Sequence, residues 1–233
     1  MSRICAAIGL TILPLSAQSL DPLIADPQHY KLEIENQWVR VIRERMQPGE
    51  KMPMHQHPQP GSVIVFLTDR HNRLIAPDGT VQELRNRAGE LMWSNASTHR
   101  SENLNNVPFE ALQIEPRRPP GAPPAPAPPE ALDATLVDPQ HYHVEVDNEY
   151  VRVIRVNIGP HEKLRLHKHP DTNAVLVHLT DQNMRLTLAD GAVRESRYPA
   201  KNVRWVERST AHQDENLSDT PLSLIRIELK FSR

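Results

Sequence analysis

Three histidines recur twice in this chain with one spacing, and imidazole is the side chain best suited to holding a transition metal near neutral pH. His55-Gln56-His57 is followed by His99, and His167-Lys168-His169 by His212. Residues two apart on a strand share a face, so each pair is expected to project together into a common interior. A third histidine from a distant strand would then complete a facial set with positions left for water or substrate. The third histidines open the segments His99-Arg-Ser-Glu-Asn103 and His212-Gln-Asp-Glu-Asn216. There alternation puts Asn103 with His99 and Asn216 with His212, and turns Glu102 and Glu215 away. These are taken as the nearest carboxylates in sequence, so no general base is assigned.

The repetition extends well beyond the histidines. Asp26-Pro-Gln-His-Tyr30 returns as Asp138-Pro-Gln-His-Tyr142, an offset of 138 − 26 = 112 residues. The same offset joins Val39–Arg43 to Val151–Arg155, Leu67-Thr-Asp69 to Leu179-Thr-Asp181, and Trp93 to Trp205. After the tryptophans the second copy carries one extra residue, so His99 answers to His212. A period this long implies two copies of one domain, not a short-repeat solenoid.

The elements that must position the histidines read as strands. Short runs of Val, Ile, Leu and Tyr alternate with turn signals such as Glu35-Asn36, Pro48-Gly49, Pro77-Asp-Gly79 and Asp190-Gly191, without sustained helical periodicity. The expected class is all-β, one unit over residues 26–116 and a second over 138–230, each small enough that the two are expected to pack together. Residues 117–129, Arg-Arg-Pro-Pro-Gly-Ala-Pro-Pro-Ala-Pro-Ala-Pro-Pro, form a linker, because proline fixes its own dihedral and removes amide donors.

The chain has 233 residues, 38% of them hydrophobic, and a formal net charge of −2, as expected of a globular protein of one or two small domains; no basic block points to nucleic acid. Met1-Ser-Arg3, an apolar run from Ile4 to Leu15 and then Ser16-Ala17-Gln18 read as a secretory signal over residues 1–17, so a periplasmic or secreted protein is expected, with no membrane association after cleavage. The apolar run is too short to span a bilayer comfortably. The single cysteine, Cys5, lies within it, so thiol and disulfide chemistry drop out of the mature chain.

With both histidine patterns in place, the chain resembles the cupin superfamily and, being doubled, a bicupin. Gly49 stands six positions before His55-x-His57, and Gly89 with His99-x-x-x-Asn103 resembles the second cupin motif. In the second copy His161 and Lys201 replace the two glycines, while Asn216 is retained. The resemblance implies two tandem jelly-roll (double-stranded β-helix) barrels joined by the proline-rich linker, with His55, His57, His99 and His167, His169, His212 as ligands of a divalent transition metal. It also implies a glutamate ligand, which is missing: the matching positions are Gly61 or Ser62 and Asn173 or Ala174. Three neutral imidazoles leave a divalent ion's charge uncompensated, which favours an anionic oxygen ligand or hydroxide in the open positions. Iron, nickel, copper and zinc all accept imidazole, so the ligands do not choose among them.

Two functions follow as expectations. One is a metal-dependent enzyme acting on a small oxygen-rich substrate, with dioxygenase chemistry favoured over isomerisation or hydrolysis. The other is a non-catalytic protein that holds a metal or small ligand. A homo-oligomer formed through barrel faces is left open. Trp93, Trp205 and His178 are read as packing or pocket-lining residues, Lys51 and Lys163 as solvent-facing, and His29 and His141 as strand-entry packing.

Overall fold

Alternation along each strand decides which side of the molecule a residue serves. The computed structural model describes residues 19–125, 130–208 and 210–231, so the expected signal segment and the end of the linker lie outside the described residues. The first copy forms β1 (Tyr30–Glu35), β2 (Val39–Met46), β3 (His55–Phe66), β4 (Arg70–Ile75), β5 (Val81–Asn86), β6 (Leu91–Asn103) and β7 (Phe109–Pro116). The second forms β8 (Tyr142–Asp147), β9 (Val151–Ile158), β10 (Ala174–His178), β11 (Gln182–Leu188), β12 (Val193–Tyr198), β13 (Val203–Val206), β14 (His212–Asn216) and β15 (Leu222–Leu229). All pairings between these strands are antiparallel. Two jelly-roll barrels result.

In the first barrel the strand order is β1-β2-β7-β3-β6-β4-β5, held together because the 13-residue β6 crosses from one sheet to the other. The second repeats the order as two sheets, β13-β10-β15-β9-β8 and β12-β11-β14. Its counterpart of β6 is broken into β13 and β14, and the one extra residue of this copy falls in the break. The second histidine pair correspondingly lies just ahead of β10, where His167 keeps a bridge to His212 but not a continuous strand. This departs from the strand expected there.

β2 is buried on both faces for two different reasons. Val39 and Val41 face a core shared by the barrels, with Val151, Val153, Ile225 and Ile227 of the second copy, while Ile42 and Met46 face the interior of the first. β9 repeats this, Val153 serving the seam and Ile154 and Val156 the second interior. At about 1.5–3 kcal/mol per fully buried aliphatic side chain, the seam is a major source of stability. Trp38 stacks on Phe231, and Trp93 on Tyr150, closing its rim.

The seam is pseudo-symmetric in its polar contacts too. Arg43 donates to the Lys201 carbonyl at 2.9 Å, and Arg155, its repeat, donates to the Gly89 carbonyl at 2.7 Å. Gly89 has φ 84° and its repeat Lys201 keeps the same left-handed backbone at φ 65°. Gly49 (φ 75°) and His161 (φ 56°) are related in the same way. Both substituted positions therefore retain the turn the glycine would favour, at a conformational cost.

Two one-turn helices were not expected, α1 (Pro22–Ala25) and α2 (Ala134–Val137), each capped by an aspartate, Asp21 or Asp133, that accepts from the backbone two residues on. The described part of the linker follows the second barrel, where Ala125 donates to the Lys230 carbonyl at 3.1 Å. Among the described residues no helix is long and apolar enough to cross a membrane.

Candidate metal centres

The six histidines gather into two groups. Within each of His55, His57, His99 and His167, His169, His212, one ring nitrogen per residue lies within 4.8 Å of the others. Strand pairing causes this: His55 is the cross-strand partner of His99, and His167 of His212, while the second member of each pair is two residues along. Ring centroids are 5.0, 4.7 and 5.3 Å apart in the first trio and 5.1, 4.5 and 5.5 Å in the second.

Five of the six rings have a contact at the Nδ1 nitrogen that helps turn them inward. In the second trio all three Nδ1 atoms have an acceptor: His167 the Arg165 carbonyl at 2.9 Å, His212 the Thr210 carbonyl at 2.8 Å, and His169 the Glu228 carboxylate at 2.9 Å. With Nδ1 donating, the Nε2 lone pairs converge, as metal ligation requires. In the first trio His55 Nδ1 meets the Pro53 carbonyl at 2.9 Å and His99 Nδ1 meets the Ser97 hydroxyl at 3.2 Å. His57 Nδ1 is looser, 4.0 Å from Glu115 and otherwise without a partner. Each carboxylate is backed by an arginine and the capping aspartate: Glu115 by Arg40 and Asp21, Glu228 more loosely by Arg152 and Asp133.

Burial favours the neutral form of His55, His99, His167 and His169. It depresses His55 to about 4, against the opposing Pro53 hydrogen bond, and His99 to about 3, helped by the charges of His55 and His57. His169 is pushed well below the usual range by burial and then by Arg226, and His167 is lowered by burial despite Asp214. Neutral, inward-facing imidazoles are the form a metal takes.

Besides Glu115 and Glu228, two further features of the sites are not among the sequence candidates. The first is the tyrosine of the repeated Asp-Pro-Gln-His-Tyr segment: Tyr30 and Tyr142 each lie 2.9 Å from a ligand nitrogen, that of His55 and of His167. Burial first, then a nearby carboxylate, raises both phenols well above their ordinary value, so both stay protonated. Their recurrence was the available signal.

The second is Asp214, which corrects the reading of Glu215 as the carboxylate nearest to His212. Its Oδ2 lies 3.7 Å from both His167 Nε2 and His212 Nε2, and 3.4 Å from the Tyr142 hydroxyl. Asp214 stands two residues after His212 and so shares its face, the alternation that does turn Glu102 towards Lys51 and Arg73 and Glu215 towards Arg185. The first barrel has Ser101 at that position. There the missing glutamate could not simply be restored at Gly61, because a Cβ would come 2.3 Å from the Ser94 carbonyl oxygen.

The cavities beside the trios differ more than the trios do. The first is about 70 Å³, lined by His57 and His99 and narrowed by Phe66, Phe109, Leu74 and Leu84. The second is about 570 Å³ and reaches His169, His212 and Asp214. The repeats of Leu84 and Met92 are Ser196 and Arg204, and that of Gln113 is Arg226. The other candidates take packing roles: Trp93 and Trp205 pack at the seam, and His178 stacks on Tyr198. His29 and His141 pair with the local carboxylates Asp26 and Asp138.

Comparison with solved structures decides the fold. AerE from Microcystis aeruginosa matches 87% of this chain and 93% of its own at 16% identity, with a TM-score of 0.58. A cupin 2 conserved barrel domain protein from Leptotrichia buccalis matches 86% of this chain and 88% of its own at 8% identity, TM-score 0.53. An oxalate decarboxylase from Bacillus subtilis, studied for its Mn(II) centres, matches 88% of this chain and 76% of its own at 12% identity, TM-score 0.54. The chain has the cupin fold twice. No protein-family model and no curated protein sequence matches it. The trios lie inside the two barrels, on strands β3 and β6 of the first and around β14 of the second.

Proposed function

We propose that this protein binds a divalent transition metal at both histidine trios and that the second barrel uses its ion on a small oxygen-rich substrate, with dioxygenase chemistry favoured. The observation that carries the metal reading is the orientation of His167, His169 and His212, each with an acceptor at Nδ1 and its Nε2 turned towards the other two rings. Imidazole with one carboxylate nearby suits iron, manganese, nickel, copper or zinc. Such an ion would supply Lewis-acid chemistry and, if redox-active, access to dioxygen.

The chain's own residues then have distinct tasks. The Tyr142 hydroxyl, protonated and within reach of His167 Nε2, would donate to an oxygen atom bound beside the trio. Asp214 offsets positive charge that three neutral imidazoles leave uncompensated. The apolar wall of Val156, Ile158, Leu176, Met184 and Leu224 excludes water from that side of the cavity. The first barrel, with only about 70 Å³ beside its trio, favours the second reading for itself: a metal held without turnover.

Export through residues 1–17 belongs to the same proposal and would leave a mature chain beginning at Gln18. Elemental analysis of untagged protein tests the metal reading. Two ions per chain are expected in the wild type and one in either His55→Ala/His57→Ala or His167→Ala/His169→Ala; full occupancy in both double variants would refute it. Oxygen uptake with catechol-like and diketone-like compounds then tests for turnover, which should disappear only in the second double variant.

A further inference from the structure

The cavity of the second barrel contains guanidinium groups that its own acceptors do not satisfy. Arg226 is 7% exposed; its Nε donates to Glu228 at 2.9 Å, yet its Nη2 is buried with no partner. Arg204 lines the same cavity. It lies over the Tyr198 ring at 4.6 Å with its Nε 3.4 Å from His178 Nε2, and among the described residues no carboxylate pairs with it. Burial acts most strongly against its protonated form and the neighbouring Arg226 charge adds to this, with Tyr198 and Asp214 opposing, so an anion entering between the two guanidinium groups would interact with two cations at once.

The repeat supplies an internal control. Where the second barrel has Arg226, Arg204 and Val156, the first has Gln113, Met92 and the buried Glu44, and the one arginine lining its cavity, Arg70, already faces the Glu44 carboxylate. Guanidinium matches a planar carboxylate with two parallel donors, and the Val156, Leu176 and Leu224 wall suits a short apolar body attached to it.

We propose that the second cavity binds small organic carboxylates, with Arg226 and Arg204 holding the carboxylate and the body of the ligand lying towards the histidine trio. This deepens the functional reading above, on which its relevance to turnover rests, but the anion site itself stands on the arginines.

The test is calorimetric titration of the full-length, as-purified protein with butyrate, benzoate, phenylacetate, neutral phenylacetamide and inorganic phosphate, with metal content measured on the same samples. At least one carboxylate should bind once per chain and phenylacetamide should not. Arg226→Gln and Arg204→Gln should each weaken it about tenfold or more, and Arg204→Lys less. Arg185→Gln, on the exposed face of β11, should leave it unchanged. Failure of all three carboxylates, equal binding of phenylacetamide, preference for phosphate, or wild-type affinity in folded Arg204→Gln would each overturn the proposal. Arginine-dependent binding in protein whose second trio holds no metal would sink the metal reading and leave this one standing; charge-blind binding in metal-loaded protein would do the reverse.

Discussion

The two barrels have nearly superposable histidine trios in unlike surroundings. Ring separations agree within about 0.2 Å, while the adjoining cavities differ between about 70 and about 570 Å³. Duplication preserved the strand pairing that assembles a ligand set, and divergence acted on the wall around it. Phe109 became Leu222, Leu84 became Ser196, Ser101 became Asp214 and Gln113 became Arg226 in passing from first to second copy order. Substitutions of this kind can remodel access and charge without disturbing the positions that hold the rings.

The contrast sharpens first at the carboxylates that orient the rings. Glu228→Gln should reduce metal affinity of the second barrel by about 10–100-fold, because it weakens the acceptor that fixes His169. Glu115→Gln, at 4.0 Å from His57, should cost the first barrel less. Competitive chelator titration of each variant, with the other trio removed, measures both; equal losses would break the distinction.

Asp214→Ser should weaken the second site by about tenfold and Ser101→Asp strengthen the first, since only the charge at one matched position is exchanged. The same titration checks it, and an unchanged affinity in both would remove Asp214 from the site.

At the seam the effect is one of stability. Burial pushes Glu110 upward, but hydrogen bonds from Lys201, Arg43 and Arg45 prevail and hold its carboxyl down to about 2. Its unfolded value lies near about 4.3, so the stabilisation is complete above that pH and is lost as pH falls towards about 2. Urea midpoints should therefore drop more steeply over that window in the wild type than in Glu110→Gln; parallel slopes would deny the carboxylate this role.

The smallest expected change is at His161, a non-glycine residue at φ 56° and well exposed. His161→Gly should raise unfolding free energy by about 1 kcal/mol, whereas Gly49→His in the first copy should lower it by a similar amount. Thermal melts that move both variants the same way would contradict the backbone argument.

Much of this was legible in the residues. The repeat, the strand class and the convergence of His55, His57 and His99 follow from period-two alternation and a common offset. Asp214 follows from the same alternation, two positions after His212, but it has no counterpart in the first copy, where the position is Ser101, so the repeat that marks the histidines does not mark it. Glu115 and Glu228 were not legible: they approach from the last strand of each barrel, 58 or 59 residues from the histidine they face, and only strand register brings them there. The broken β6 counterpart likewise depends on how one extra residue is absorbed, which the pattern of side chains does not specify.

The most direct test of the central claim is anomalous diffraction at the absorption edge of the metal found in the purified protein. Two peaks are predicted per chain, each bonded to the Nε2 atoms of one trio, with the second open to the large cavity. Strong peaks elsewhere, or none at either trio in metal-replete crystals, would contradict the account.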